Sequence, residues 1–463
     1  MAYDGRNGDG VTAADCYAHQ HRRDIKRAGD SSENLDSISS LPDVLIQQIL
    51  SFLPTKVAIR TSVLSRRWRH VWPNTPSLSF DFEGFRNIRN PADFINETLA
   101  RYTARKMMRF HLDSYHVRDC PPDHDLNKWI EFALSRNVEN LSLQFSVSHS
   151  LEYSIPDFFY TNSSVKQLNR NHLITRCSVS WTSLKKLSLH SCYISEESLA
   201  KILCGCPILE ILRLYCLSQP TFLDLSKSPR LRVLKIKRRL LVTGATLIVA
   251  PHIHDLRLTN SQLPCTLVDV SSLTKVKLDI DFCQVKEELD ALFLQIMALE
   301  MLEKLKNVQK LTFGENFLKI LSLVELRGVS LPIFKVQVLT LRTTISQYVI
   351  HGIVRVLQNS PQLKKLTLLH SWKCGFIPED LLDYYLEAHS LNQNRCWILG
   401  ETWPLESKVV ASFMKIMLQN TKTLEKMVVI GLKGYCPKGK AFEELLQMDP
   451  MPSHDNNVAI VFT

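Results

Sequence analysis

Apolar residues follow two rhythms along this chain, and each rhythm predicts a different kind of element. Within LPDVLIQQILSFLPTKVAIRTSVLSRRWRHVW, residues 41–72, Leu45, Ile46, Ile49, Leu50 and Leu53 recur at i, i+1, i+4, i+5 and i+8. That spacing is one stripe of a helix with about 3.6 residues per turn. Pro42 and Asp43 favour its start, and Pro54 stops it. Val57, Ala58 and Ile59 mark a short middle piece. Val63, Leu64, Trp68, Val71 and Trp72 predict a third helix, with Arg66, Arg67 and Arg69 interleaved and Pro73 and Pro76 closing it. The second rhythm is L-x-x-L-x-L, which begins at Val138, Leu184, Leu209, Leu231, Ile253, Leu273, Val308, Val336, Leu363 and Leu424. The starts from Leu184 to Leu273 are 25, 22, 22 and 20 residues apart, within the roughly 20–29 of leucine-rich repeats.

The helical module is too small for its own apolar residues. Below roughly 40 residues a chain seldom folds alone without disulfides, metal or association, and residues 41–72 contain no cysteine. The module is therefore expected to dock, on the rest of this chain or on another one. Its wording, L-P-D-x-L-x-x-x-I-L-S-x-L-P-T-K-x-A-x-x-T-S-V-L-S-x-R-W-R-x-x-W, resembles the F-box of plant F-box proteins. The resemblance implies binding to the Skp-type adaptor of a Skp–cullin–F-box ubiquitin ligase. It places Leu41, Pro42, Ile49, Leu50, Leu53, Val57, Ser62, Leu64 and Trp68 at the interface or in support of it. Read without the resemblance, the same segment is a helical piece of the larger core, or a DNA-reading helix carrying Arg66, Arg67, Arg69 and Trp68.

A strand of the second rhythm cannot cover its own apolar edge, but stacking on a neighbour does so, and the outcome is a curved solenoid. SEESLAKILCGCPILE and QYVIHGIVRVLQNSPQLKK read as helices returning the chain to the next strand, the first with Leu199, Ile202 and Leu203 at helical spacing. An ordinary α/β domain with parallel strands would alternate in the same way. In the solenoid, residues flanking the inward leucines face the concave side, and many are basic. Lys186, Arg213, Lys235, Lys237, Arg257, Lys275, Lys277, Lys310, Arg342 and Lys365 stand against Asp255 and Asp279, with His190 and Tyr215 neutral. Such a face suits an acidic or phosphorylated protein substrate, or is simply a solvated polar surface. The C-P-x-L-E wording at Cys206–Glu210 is similar to repeats of plant F-box/LRR proteins, and the stretch from about Glu387 resembles the FBD region that follows them.

Composition narrows the function classes. The chain has 463 residues, 45% hydrophobic and 22% charged, as ordinary soluble globular proteins do. MAYDGRNGDG lacks the apolar core of a secretory signal, and no 18-residue uncharged apolar run occurs. An intracellular protein of nucleus and/or cytoplasm is expected, with its twelve cysteines as free thiols and no membrane partner. Cys204 and Cys206 form C-x-C, and no zinc-site spacing occurs. The net charge of +10 directs attention to basic clusters. One, at His19, His21, Arg22, Arg23, Lys26 and Arg27, lies in a polar leader expected to be disordered, and reads as a nuclear localisation signal or a solvated tail. Gly434 to Ala441 comes within one residue of a phosphate-binding loop, but Ala441 lacks the hydroxyl for magnesium and Pro437 removes an amide. No catalytic constellation stands out.

The expectation is an α/β chain with a disordered leader (1–34), a three-helix F-box (35–80), an irregular leucine-rich repeat solenoid (81–385) and an α/β FBD-like C-terminal cap (386–463). The implied role is the substrate-recognition subunit of a Skp–cullin–F-box ligase, non-catalytic, without cofactor, metal or nucleic acid. A leucine-rich interaction scaffold without a ligase role is the alternative.

Overall fold

The computed structural model describes residues 40–85, 88–114, 121–145, 155–171, 178–192, 194–217, 222–238, 246–260, 265–280, 291–326, 330–345, 347–370, 407–431 and 458–462. The basic leader and the Gly434–Ala441 loop lie outside these residues.

In the amino-terminal module, helix α1 (Asp43–Leu50) starts after Pro42 with Asp43 in its first turn. Pro54 leads directly into α2 (Thr55–Arg60). The third helix is shorter than its apolar spacing predicts. Thr61–Val63 is a 3-10 turn, Leu64 follows it, and only Trp68–Val71 forms α3. The Ser65 hydroxyl faces the Trp68 N–H at 3.5 Å, offering the backbone a local partner in place of a continuing helix. Arg67 then ties α3 to the start of α1, donating to Asp43 at 2.7 Å and to the Leu41 carbonyl. Ile46, Leu50, Ala58, Trp68, Val71 and Trp72 form a small core of their own, with Leu41, Leu53 and Ile59 packed against it.

The repeats supply strands β1 (Ser77–Asp81), β2 (Arg109–Ser114), β3 (Asn140–Phe145), β4 (Gln167–Asn171), β5 (Lys186–His190), β6 (Ile211–Leu217), β7 (Phe222–Asp224), β8 (Val233–Arg238) and β9 (Thr246–Val249). They continue as β10 (Asp255–Asn260), β11 (Cys265–Asp269), β12 (Lys275–Ile280), β13 (Lys310–Gly314), β14 (Val338–Thr343), β15 (Lys365–His370), β16 (Lys426–Ile430) and β17 (Ala459–Phe462). Among the described residues, fourteen of these form one sheet in the order β1-β2-β3-β4-β5-β6-β8-β10-β12-β13-β14-β15-β16-β17, every neighbour parallel. Register aligns the pattern's leucines, so that Leu187, Leu212, Leu234 and Leu256 pair in turn and are all buried. Each strand's apolar side is closed by its neighbours, as a solenoid requires.

Across the core lie helices α4 (Pro91–Arg101), α5 (Asp123–Ser135), α6 (Glu196–Cys204), α7 (Ala291–Leu305), α8 (Glu315–Leu326), α9 (Gln347–Gln358) and α10 (Ser407–Gln419). Asn90 and Ser195 cap α4 and α6, their side-chain oxygens accepting from Ala92 N–H and Ser198 N–H, both at 3.2 Å. The repeats spaced 22, 22 and 20 residues apart carry short strands instead, and β11, β9 and β7 pair in parallel as a second sheet. Two strands and their turns use up such a repeat, and a helix does not fit.

In the fourteen-stranded sheet four strands, β1, β2, β4 and β17, have no counterpart among the ten pattern matches. In β2 the apolar positions are Met107, Phe110 and Leu112; in β1 Thr75 precedes Leu78 and Phe80; in β4 Arg170 stands where a leucine is expected. Arg170 is nonetheless buried, its guanidinium 4.4 Å from the Phe145 ring centroid. Because β1 starts at Ser77, the boundary read at residues 80 and 81 runs through a strand. At the other end β16 pairs with β15 and β17 with β16, so the described part of the C-terminal region continues the same sheet.

The module covers the open edge of β1. Thr55 Oγ1 accepts from the Ser79 N–H at 2.7 Å, Ser77 donates to the Ser51 carbonyl at 2.8 Å, and Lys56 donates to the Gly84 carbonyl at 2.7 Å. Among the described residues no helix is long and apolar enough to cross a membrane.

Candidate functional site

Two surfaces answer the sequence expectations. The first is the exposed apolar surface of the helical module. With Ile46 and Leu50 turned into the small core, the neighbouring apolar residues of α1 are left outside: Val44, Leu45 and Ile49 are exposed. Phe52, at 72% exposure, and Val63, at 85%, extend the patch, together with Val57 and Leu64. Single exposed apolar residues are ordinary, whereas several on one small module mark an interaction surface.

The residues implied by the F-box resemblance divide by depth. Pro42, Ile49, Val57 and Leu64 are exposed, Leu41, Leu53 and Ser62 are half-buried, and Leu50 and Trp68 lie inside, where they hold the outer residues in place. Val44, Phe52 and Val63 are not among the interface residues that the resemblance implies. For Val44 the signal was available, since it is apolar yet off the stripe that α1 buries; Phe52 and Val63 lie outside α1.

The second surface is the concave face, where register sorts the outward residues into three rows. From β3 to β15 the middle row reads Ser142, Asn169, Ser188, Arg213, Lys235, Arg257, Lys277, Thr312, Thr340 and Thr367. Four consecutive cations are thus bounded on both sides by small neutral residues. The first row contributes Lys186 on β5, then Ile211, Val233, Asp255 and Lys275 on β6, β8, β10 and β12. The third row places Tyr215, Lys237, Thr259 and Asp279 on those four strands. The sequence reading of one basic stripe therefore resolves into a basic block on β6, β8, β10 and β12, with Lys186, Lys310 and Lys365 outside it and in another row.

Carboxylates neutralise the block unevenly. Asp255 pairs with Arg257 at 2.8 Å and Lys275 at 3.5 Å. Asp279 pairs with Lys277 at 3.5 Å and, from across β13, with Arg342 at 2.8 Å. Burial raises the Asp255 carboxyl, but Arg257 and Lys275 outweigh it and hold the group below the ordinary aspartate range. Lys235 has no carboxylate within ion-pair distance among the described residues. Burial, followed by the charges of Arg257 and Arg213, pushes its amine below the usual lysine range. Arg213 donates to the neutral Ser188 hydroxyl at 3.3 Å. Tyr215 lies against His190, ring centroids 4.6 Å apart.

Other candidate chemistry is not assembled. Cys204 is exposed while Cys206 is buried, its thiol pushed up to about 12 by burial. Among the described residues no group of three or more His, Cys, Asp or Glu is placed to hold a metal ion. His252 and His254 precede β10, and the His254 ring meets the His252 carbonyl at 3.0 Å.

Comparison with known proteins bears on both surfaces. A model of the F-box domain matches residues 38–79, and a model described as the LRR repeats of FBD-associated F-box protein At5g56370 matches residues 126–280. The F-box/LRR-repeat protein At3g03360 of Arabidopsis thaliana is 51% identical over 458 residues, covering 95% of this chain and 92% of that protein. The chain belongs to the F-box/LRR-repeat protein family. The putative F-box/LRR-repeat protein At3g18150 of Arabidopsis thaliana, 50% identical over 456 residues, spans 96% of this chain and 94% of its own length. The helical module is the F-box, and its match runs into β1, where the structure fuses module and array. The match to the repeats begins at α5, ends with β12, and contains the whole basic block.

Proposed function

We propose that this F-box/LRR-repeat protein is the substrate-recognition subunit of a Skp–cullin–F-box ubiquitin ligase. The F-box holds the Skp-type adaptor and through it the cullin, and the concave face holds the protein to be ubiquitinated, in the nucleus, the cytoplasm or both. The observation that carries this reading is the set of apolar side chains, Val44, Ile49, Phe52, Val57, Val63 and Leu64, that the module leaves exposed although it has a small core of its own. An apolar surface of that kind gains by burial against a partner subunit. The chain supplies no bond chemistry in this scheme. It raises the rate by holding substrate near the ligase's transfer site, an effective-molarity effect.

Binding of the full chain to a purified Skp-type adaptor tests the reading. Ile49→Glu and Leu64→Glu are expected to weaken binding by about 2 kcal/mol or more, roughly thirtyfold in Kd, while leaving thermal unfolding unchanged. Trp68→Ala, inside the small core, is expected to lower both stability and binding, with a cost of about 3–5 kcal/mol to the module. Adaptor binding unaffected by Ile49→Glu and Leu64→Glu would remove the ligase assignment and leave an interaction scaffold.

A further inference from the structure

The middle concave row has a feature that a generally solvated face does not require: its cations are consecutive and confined. Arg213, Lys235, Arg257 and Lys277 occupy four successive strands, and the row is neutral on both sides, from Ser142 to Ser188 and from Thr312 to Thr367. Adjacent strands stand about 4.8 Å apart, so the block spans about 14 Å. Like charges at that separation repel one another, and the described carboxylates relieve only one end. Asp255 and Asp279 serve Arg257, Lys275, Lys277 and Arg342. Lys235 makes no ion pair with a described carboxylate and feels Asp255 only at longer range, less than burial and the charges of Arg257 and Arg213, and Arg213 has the uncharged Ser188 hydroxyl.

We propose that Arg213, Lys235 and Arg257 form the receptor for one phosphorylated side chain on an extended segment of the captured protein. The proposal deepens, and rests on, the reading of the concave face as the surface that holds substrate. A phosphate monoester brings close to two negative charges and three acceptor oxygens, and can accept from Arg213, from Lys235 and from the Arg257 amino group that its fork to Asp255 leaves over. A carboxylate fills a single guanidinium fork and leaves the central amine without a counterion. The flanking Asp255 and Asp279 repel a second anion, so the site takes a single phosphate toward the β6 and β8 side.

The neighbouring rows favour a peptide as the carrier. Beside Arg213 and Lys235 the first row presents half-buried Ile211 and Val233, an aliphatic step next to the cationic one. That combination suits an apolar side chain adjacent to the phosphorylated residue. Single-stranded nucleic acid uses successive aromatic platforms along a basic groove, and Tyr215 is the aromatic residue in these rows on β6, β8, β10 and β12. About 14 Å corresponds to roughly four extended residues.

The test uses the full chain in complex with a Skp-type adaptor, immobilised through the adaptor. The probe is a pool of nine-residue peptides with a central phosphoserine or phosphothreonine and one apolar neighbour. The same pool after phosphatase treatment, a glutamate-centred pool, inositol hexakisphosphate and single-stranded RNA are offered in parallel. Retention of the phosphorylated pool is expected at least about tenfold above the dephosphorylated and glutamate pools. Arg213→Gln, Lys235→Gln and Arg257→Gln are each expected to lower it about tenfold or more. Lys365→Gln, on β15 outside the block, is expected to change it less than about twofold, and Lys235→Arg to retain most of it. Unchanged adaptor binding and thermal unfolding of the variants exclude misfolding. Equal retention of the dephosphorylated or glutamate pool, tighter binding of inositol hexakisphosphate or RNA than of the peptides, or indifference to Lys235→Gln overturns the proposal. Failure to bind adaptor, with phosphopeptide retained by the directly immobilised chain, overturns the ligase assignment alone.

Discussion

In the third concave row, Arg342 of β14 reaches Asp279 of β12 at 2.8 Å because the position between them on β13 is Gly314. A Cβ at Gly314 would stand 2.3 Å from Asp279 Oδ1 and 3.0 Å from its Cα. Gly314→Ala is therefore expected to displace Asp279, break its pairing with Arg342 and destabilise the chain by about 1–3 kcal/mol, read as a lowered Tm. Histidines give a second prediction at this scale. Burial holds His111, His190 and His370 below the ordinary histidine value of 6.5, with Arg213 adding to the effect at His190 and Asp113 and Asp81 opposing it at His111. The unfolded chain takes up these protons first, so their contribution is full above pH 6.5 and is lost as the pH falls toward their lowered folded values. Tm is expected to decline between pH 7 and pH 5, and His190→Gln to flatten that decline. The outward cations were legible one by one from the alternation of β-strands. Their gathering into one bounded block was not, because row membership depends on register between strands, which a single sequence does not state. Likewise nothing in VKQLNR marks Arg170 as inward, since its place is secured by the Phe145 ring contributed by the preceding strand.

At the scale of elements, the junction between F-box and array depends on a few polar contacts. Thr55 is buried, and its hydroxyl is the acceptor for the Ser79 N–H on the open edge of β1. Thr55→Val keeps the shape but leaves that N–H without its partner, at an expected cost of about 1–2 kcal/mol. Faster amide exchange at Ser79 and easier proteolysis between residues 75 and 85 would show it, whereas protection equal to wild type would place the junction's strength elsewhere. Helices α1 and α2 could be read from apolar spacing and the prolines that bound them. The third helix was overestimated because Val63 and Leu64 were read on one helical stripe with Trp68, Val71 and Trp72, although they lie in and after a 3-10 turn and are exposed. Periodicity reports that residues are apolar, and it does not distinguish a buried stripe from one awaiting a partner. In the main sheet the strands missed, β1, β2 and β4, are those in which threonine, methionine, phenylalanine or arginine replaces the pattern's leucine. Thr75, Met107, Phe110 and Arg170 are nonetheless all buried, so the inward position is kept although the residue type is not.

For the whole molecule, stability is a sum over stacked repeats and their interfaces, and the last strands protect those before them. A chain ending after residue 370 loses α10, β16 and β17 and opens the edge of β15. It is expected to unfold less cooperatively and to aggregate at concentrations where the full chain stays dispersed, measurable by scattering during thermal unfolding. The solenoid itself was evident from ten recurrences of one phrase, but the change of character in its middle was visible only as arithmetic, in spacings of 22, 22 and 20. That change has a mechanical consequence. Where helices about 10 Å wide back strands about 4.8 Å apart, the two sides advance unequally and the coil must bend. From β6 to β10 each repeat is backed by a strand, β7, β9 or β11, so both sides advance by the same step and this stretch is expected to approach a straight bar. The cationic block sits on that bar, with rungs locked by backbone hydrogen bonds, so it offers a guest a line of fixed pitch and cannot flex to suit a different one.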